Sequence, residues 1–126
     1  MRAVDTNVLV RLLTRDDARQ VAAAEAFVSR GAWVSQLVLI EAVRVLSSVY
    51  ERDAGSIAQA VAMLLDHNDL TLQGAEAVKG ALARYRRSPS VSFSDCLVLE
   101  AARRAGHLPL GTFDRALGKQ DGAQRL

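Results

Sequence analysis

Four acidic residues stand out by their positions: Asp5, Glu41, Asp95 and Asp114. Asp5 closes the opening run Met1-Arg2-Ala3-Val4, and Asp114 closes Leu110-Gly111-Thr112-Phe113. Asp95 opens a helix-like segment after Ser92-Phe93. Glu41 interrupts Leu37-Val38-Leu39-Ile40 and Ala42-Val43, where burying an unpaired carboxylate is costly. On a helical wheel it shares a stripe with Leu37, Arg44 and Ser48, so it can turn away from the apolar face. Oxygen-rich sets of this kind suit hard divalent cations, Mg²⁺ or Mn²⁺. Without a cation, carboxylates packed together repel and raise each other's pKa. A cation held there lowers the pKa of bound water and stabilises both oxygens of an in-line phosphoryl displacement. No positioned Ser or Cys nucleophile competes with this chemistry. The one cysteine, Cys96, lies in the apolar run Cys96-Leu97-Val98-Leu99 and reads as a small buried hydrophobe. The residue types point to metal-dependent phosphodiester hydrolysis.

Each acid also has a plain structural role open to it. Asp95 suits a helix N-cap, Asp5 and Asp114 suit turns, and Glu41 can pair with Arg44 one turn on. The choice rests on the elements that position the four.

In open α/β sheets, ligands bind beyond the carboxyl ends of the strands. The sequence delivers acids to such places. A first strand over Met1–Val4 ends at Asp5-Thr6-Asn7, and a helix follows through Val8–Leu13, with Thr6 as its expected cap. Asp16-Asp17 with Gln20 opens a second helix, carrying Val21, Ala24 and Val28 to a stop at Gly31. Ala32-Trp33-Val34 is a short strand, and Ser35 caps an apolar helix from Gln36 to about Tyr50. Ser56 with Gln59 suggests a further start, followed by the stripe Ile57, Ala60, Val61, Leu64, Leu65. Leu70-Thr71-Leu72 is a brief strand, and a helix from about Gly74 to Arg87 is broken by Ser88-Pro89-Ser90. The next helix runs from Ser94-Asp95 to Ala105 before Gly106, and Leu108–Phe113 forms a last strand. Short strands alternating with helices predict an α/β domain with a mainly parallel sheet, 1–126 as one unit without repeats or linkers.

Composition bounds the partners. The chain has 126 residues and 50% hydrophobic content, enough for a core without disulfides. Sixteen basic against fourteen acidic residues give a net charge of +2, which excludes both an acidic tail and a strongly cationic nucleic-acid coat. Fourteen of the sixteen bases are Arg, whose forked head suits phosphate. No apolar run approaches the roughly 18 residues needed to cross a bilayer, and the acid at position 5 breaks any leader, so a soluble cytoplasmic protein is expected. The six aromatics, Phe27, Trp33, Tyr50, Tyr85, Phe93 and Phe113, fall mostly at core-like spacing and mark no stacking platform.

Taken together, Val4-Asp5-Thr6-Asn7-Val8-Leu9-Val10, Glu41 in its apolar helix, Phe93-Ser94-Asp95-Cys96-Leu97 and Leu108–Arg115 resemble PIN-domain ribonucleases. Among these the likeness is to VapC toxins of type II toxin–antitoxin pairs, and it covers nearly the whole chain in order. The resemblance implies a PIN-like three-layer α/β/α fold with a small, mainly parallel sheet flanked by helices. It implies that Asp5, Glu41, Asp95 and Asp114 form an acidic quartet around Mg²⁺ or Mn²⁺, with Asp5 and Asp95 leading and the other two completing the shell. Asn7 and Thr112 match polar helpers that orient an acid or a water. The implied reaction is endoribonucleolytic: a metal-activated water attacks phosphorus in line, leaving 5′-phosphate and 3′-hydroxyl ends. Arg11, Arg15, Arg84, Arg86 and Arg87 become candidates for RNA phosphate contact, each equally open to lying on a solvated helix face. A homodimer and a VapB-type antitoxin are implied partners.

Two positions depart from the pattern. The tail Gly118–Leu126 lacks the apolar final strand usual in such domains, so that strand is expected to be absent, frayed or very short. Gly111 replaces a bulkier residue and loosens the strand before Thr112. Two other readings compete for the same residues. Aspartate-nucleophile phosphatases carry a second Asp two residues after the first, where this chain has Asn7. A catalytically silent PIN-like module that binds RNA or protein would have lost some of the acids, and none is missing.

Overall fold

The computed structural model describes residues 1–126, which form two compact units, Met1–Ala75 and Glu76–Leu126.

The first unit begins with β1 (Arg2–Ala3), α1 (Thr6–Thr14), α2 (Ala18–Val28) and β2 (Ala32–Val34), and continues through α3 (Gln36–Ser48), α4 (Ala54–Asp66) and β3 (Leu70–Leu72). The three strands pair in the order β1-β2-β3, all parallel, with Ala3 beside Trp33 and Val34 beside Leu72. Two helices intervene between successive strands, and parallel pairing requires a crossover of this kind. Ala32, Val34, Leu70 and Leu72 turn one face of the sheet into the core, while Trp33 and Thr71 lie on the other. Helix α1 packs on α2 and α3 and buries Leu9 and Val10.

The second unit holds α5 (Ala75–Arg87, whose first residue closes the first unit), α6 (Phe93–Ala105), β4 (Leu110–Thr112), α7 (Arg115–Gly118) and β5 (Ala123–Arg125). Strands β4 and β5 pair in parallel. The final strand therefore forms and is very short. Gly111 sits in β4 with room for a Cβ at ordinary contact distance, 3.5 Å, from Leu126. Tyr85 and Phe93 meet edge to face, centroids 6.0 Å apart, and join α5 to α6. Gly106 ends α6 at φ +83°, donating its N–H to the carbonyls of Ala102 and Arg103. The α/β architecture with short parallel strands is the one expected.

Three helix starts differ from expectation, each by a few residues. Asp5, not Thr6, caps α1, its Oδ1 accepting from the N–H of Val8. Asp53, not Ser56, caps α4 and accepts from the Ser56 N–H. Ser92, not Asp95, caps α6 and accepts from the Asp95 N–H. In each case the capping residue has non-helical backbone, and its side chain reaches the N–H three residues on. The Asp53 carboxyl is held below its ordinary pKa, chiefly by that backbone N–H.

Cys96 is fully buried, and its burial pushes the thiol up to about 11. At neutral pH it stays protonated and unreactive. Ellman's reagent should leave Cys96 unmodified in the native protein and label it once denaturant is added; rapid native labelling would contradict this packing. A pKa raised from 9.0 contributes no pH dependence below about pH 9, and stability should then fall as pH rises from there toward 11.

Candidate active site

In the first unit, Asp5 sits two residues past the carboxyl end of β1, at the cap of α1. Capping uses Oδ1 only, at 3.2 Å from the Val8 nitrogen, and Oδ2 has no protein partner. The residue is exposed and lines a cavity of about 410 Å³ with Asn7, Arg11, Gln20 and Phe27. Arg11 is pinned at the rim of this cavity. Its Nε donates to Gln20, and its Nη1 donates to Asp16 (3.3 Å) and the Tyr50 hydroxyl (3.1 Å). Asp16 is in turn held below the usual carboxylate range, first by the Tyr50 hydroxyl and then by that of Thr14. Arg11 Nη2 remains without a partner. An acid with a free oxygen and a fixed cation thus share one recess.

Glu41 lies in the second turn of α3, half-exposed, and takes the expected partner, Arg44. It does turn away from the apolar face: Leu37 and Ser48 on its stripe are exposed, while Leu39, Ala42, Val43 and Leu46 are buried. Arg15 pairs with Glu25 at 3.4 Å, both groups more than half exposed.

In the second unit, Asp114 occupies the equivalent kind of place, two residues past β4 and capping α7. Its Oδ1 accepts from the Leu117 N–H at 2.7 Å, leaving Oδ2 without a protein partner. Thr112 Oγ1 accepts from the Asp114 N–H at 3.0 Å and so fixes the turn that aims this acid. Asp114 lines a cleft of about 700 Å³ with Arg87, Ser88, Ser90, Arg115 and Lys119. None of those three cations forms an ion pair. Asp95 stands in the first turn of α6, part-buried, with its carboxylate unbonded, because Ser92 has taken the cap.

One expected phosphate contact is corrected. Arg84 is 8% exposed and binds Glu100 (3.1 Å) and Gln120 (3.1 Å), so its charge is spent inside the unit. Arg86 and Arg87 are exposed at the end of α5. Arg115 and Lys119 were missed as cleft cations. Arg115 follows Asp114 directly and Lys119 comes four residues later, one helical turn on, a spacing that could have flagged the pair.

The donor set fits a hard divalent cation. It is oxygen-only, and Asp5, Asp95 and Asp114 each keep at least one carboxylate oxygen unpartnered while only Glu41 has a basic partner. Each unit supplies two of the four acids, and within neither do three or more His, Cys, Asp or Glu side chains gather as a ready metal group. Two comparisons with known proteins bear on this arrangement. The family model described as the PIN domain matches residues 2–123, a stretch that contains all four acids and nearly all of both units. No curated protein matches the chain.

Proposed function

The chain belongs to the PIN domain family, whose members are generally nucleases, and from that premise we propose that it is a metal-dependent endoribonuclease, the VapC-type toxin of a toxin–antitoxin pair. The observation that carries the reading is repeated in both units. An acid stands just past the carboxyl end of a parallel strand, with one carboxylate oxygen unpartnered and an arginine beside it. In this reading residues 1–126 work as one domain.

Asp5 and Asp95 would hold Mg²⁺ or Mn²⁺, with Glu41 and Asp114 completing the set; Glu41 would first release Arg44. When bound there, such an ion would supply Lewis acidity for the activation of water and for the neutralisation of phosphate charge. The protein's own groups do the rest. Thr112 holds Asp114 in its aim, and Asn7 borders the Asp5 recess. Arg11, fixed by Asp16, Gln20 and Tyr50, offers its free Nη2 to an RNA phosphate without a rearrangement. Arg15 in the first unit, and Arg86 and Arg87 in the second, would add further phosphate contacts, while Arg84 has a structural role. The proposed partners are RNA, a second copy of the chain and a VapB-type antitoxin, met in the cytoplasm. No helix is long and apolar enough to cross a membrane.

The test is cleavage of a pool of structured RNAs by the purified protein in Mg²⁺ or Mn²⁺. Cleavage that EDTA abolishes is the expected result. Intact RNA, or cleavage that persists in EDTA, would count against it.

A further inference from the structure

Phe113 is 80% exposed, although it lies between the end of β4 and the cap of α7. Its backbone is not loose. The Asp114 N–H closes onto Thr112 Oγ1 across it, Asp114 Oδ1 is tied to the Leu117 N–H, and the Thr112 carbonyl accepts from the Leu126 N–H at 2.9 Å. A large apolar ring is therefore presented to water on a fixed turn, where folding alone would favour covering it. The other aromatics are engaged or more covered. Tyr85 and Phe93 are buried together, Arg2 lies 3.9 Å over the Phe27 ring, Tyr50 bonds Asp16 and Trp33 is 37% exposed. The residue after Phe113 is Asp114, which lines the cleft holding Arg87, Arg115 and Lys119, three cations without an acidic partner inside the protein. An exposed aromatic ring one residue along the chain from a cleft lined by unneutralised cations is the combination that takes single-stranded nucleic acid, with a base on the ring and phosphates on the cations.

We infer that Phe113 is a base-stacking platform which, with Arg87, Arg115 and Lys119, binds an unpaired RNA segment next to Asp114. The inference rests on the ribonuclease reading only for its choice of RNA as ligand. It makes Phe113 a determinant of which RNAs are held, favouring loops and other unpaired stretches over duplex, whose bases are stacked and inaccessible.

The test is binding of a short single-stranded RNA carrying 2-aminopurine, followed by anisotropy and by base fluorescence in EDTA so that nothing is cut. Wild type should bind and quench the probe. Phe113→Ala should weaken binding about tenfold and remove the quench, with melting unchanged because the ring is exposed. Phe113→Trp should restore both. Arg87→Gln with Lys119→Gln should flatten the salt dependence, by about 0.7 in log–log slope for each phosphate that is no longer neutralised. Equal binding and quench by Phe113→Ala, tighter binding of duplex, or no single-strand binding by wild type would overturn the inference. The two readings can fail separately. RNA cut by wild type with binding indifferent to residue 113 removes the platform and keeps the nuclease. Stacking that depends on residue 113, in a protein that cuts no RNA with any divalent ion, does the reverse.

Discussion

Asp5→Asn and Asp95→Asn should each lower divalent-dependent RNA cleavage at least about a hundredfold while leaving the protein folded. The magnitude follows from the several kcal/mol of transition-state charge stabilisation that a bound cation supplies, at roughly 1.4 kcal/mol per tenfold. The folded state is protected for a different reason at each position. Asp5 caps α1 through Oδ1, and Asn caps as well as Asp, so the bond to the Val8 N–H survives. Asp95 makes no side-chain hydrogen bond, since Ser92 holds the cap. Its loss costs at most about 1 kcal/mol of favourable charge at the start of a helix. Asp66→Asn, the same charge change on an exposed residue at the end of α4, is the control and should keep its activity. Parallel rate assays and thermal melts check the pair. Unchanged cleavage in both acid variants would remove these residues from the site.

The second large effect is on stability. Glu100 is 3% exposed and accepts from Arg84 at 3.1 Å and Arg103 at 2.9 Å, with Arg104 3.6 Å away. Arg84 is itself buried, and its Nε has no partner at all. Glu100→Gln should therefore destabilise the second unit by about 3–5 kcal/mol, the cost of leaving a buried guanidinium without its counter-charge. That corresponds to a drop of about 10 °C or more in Tm for a chain of this size. The pH behaviour has a definite sign. Arg103 first, and Arg84 after it, hold the Glu100 carboxyl below its ordinary 4.5. A lowered folded pKa gives stability that is present above pH 4.5 and lost as pH falls below it. Wild-type Tm should drop on acidification through that range, and Glu100→Gln should lack this part of the drop. Equal melting of the two proteins at pH 7 would mean the buried pair contributes nothing.

Glu100 also shows where sequence reading stopped short. Glu41 stands out as an acid inside an apolar run, yet it is half-exposed and paired with Arg44. The acid that is buried is Glu100, which falls on the α6 stripe of Phe93, Cys96 and Leu97 at helical spacing. The same reasoning applies to its partner. Arg84, Arg86 and Arg87 look alike in the sequence, but Arg84 alone falls on the stripe of Ala77 and Ala81 and is drawn inside. Helical periodicity contained both facts; identifying them as a pair needed the packing of α5 on α6.

Elements with strong local signals were legible. Ala32–Val34 and Leu70–Leu72 stand as short apolar patches between helices, and Ser35 is a cap with no competitor nearby. Where two capping residues lay close together, as at Asp5 and Thr6 or Asp53 and Ser56, the pattern could not choose between them, because both satisfy it. Backbone geometry made the choice. Of the candidate site, the placement of Asp5 and Asp114 past strand ends was legible, since a strand followed by an acid is a linear feature. The cleft around Asp114 was not. Arg87 reaches it from α5, while Arg115 and Lys119 come from the far end of the chain.

The charge balance takes on a local meaning. If the four acids share one site, sixteen bases stand against the ten remaining acids, a scaffold of +6 around a focal −4. One or two divalent ions would largely cancel the focal charge and leave a surface attractive to a phosphate backbone. The total of +2 excludes a nucleic-acid coat and is compatible with a nuclease.

The most direct measurement is the chemistry of the RNA ends left by the wild-type protein in Mn²⁺. Attack by water on phosphorus, assisted by an ion at Asp5, Glu41, Asp95 and Asp114, predicts 5′-phosphate and 3′-hydroxyl ends, with no cleavage in EDTA or with Asp5→Asn. Products ending in 2′,3′-cyclic phosphate, formed equally with and without the metal, would contradict the account.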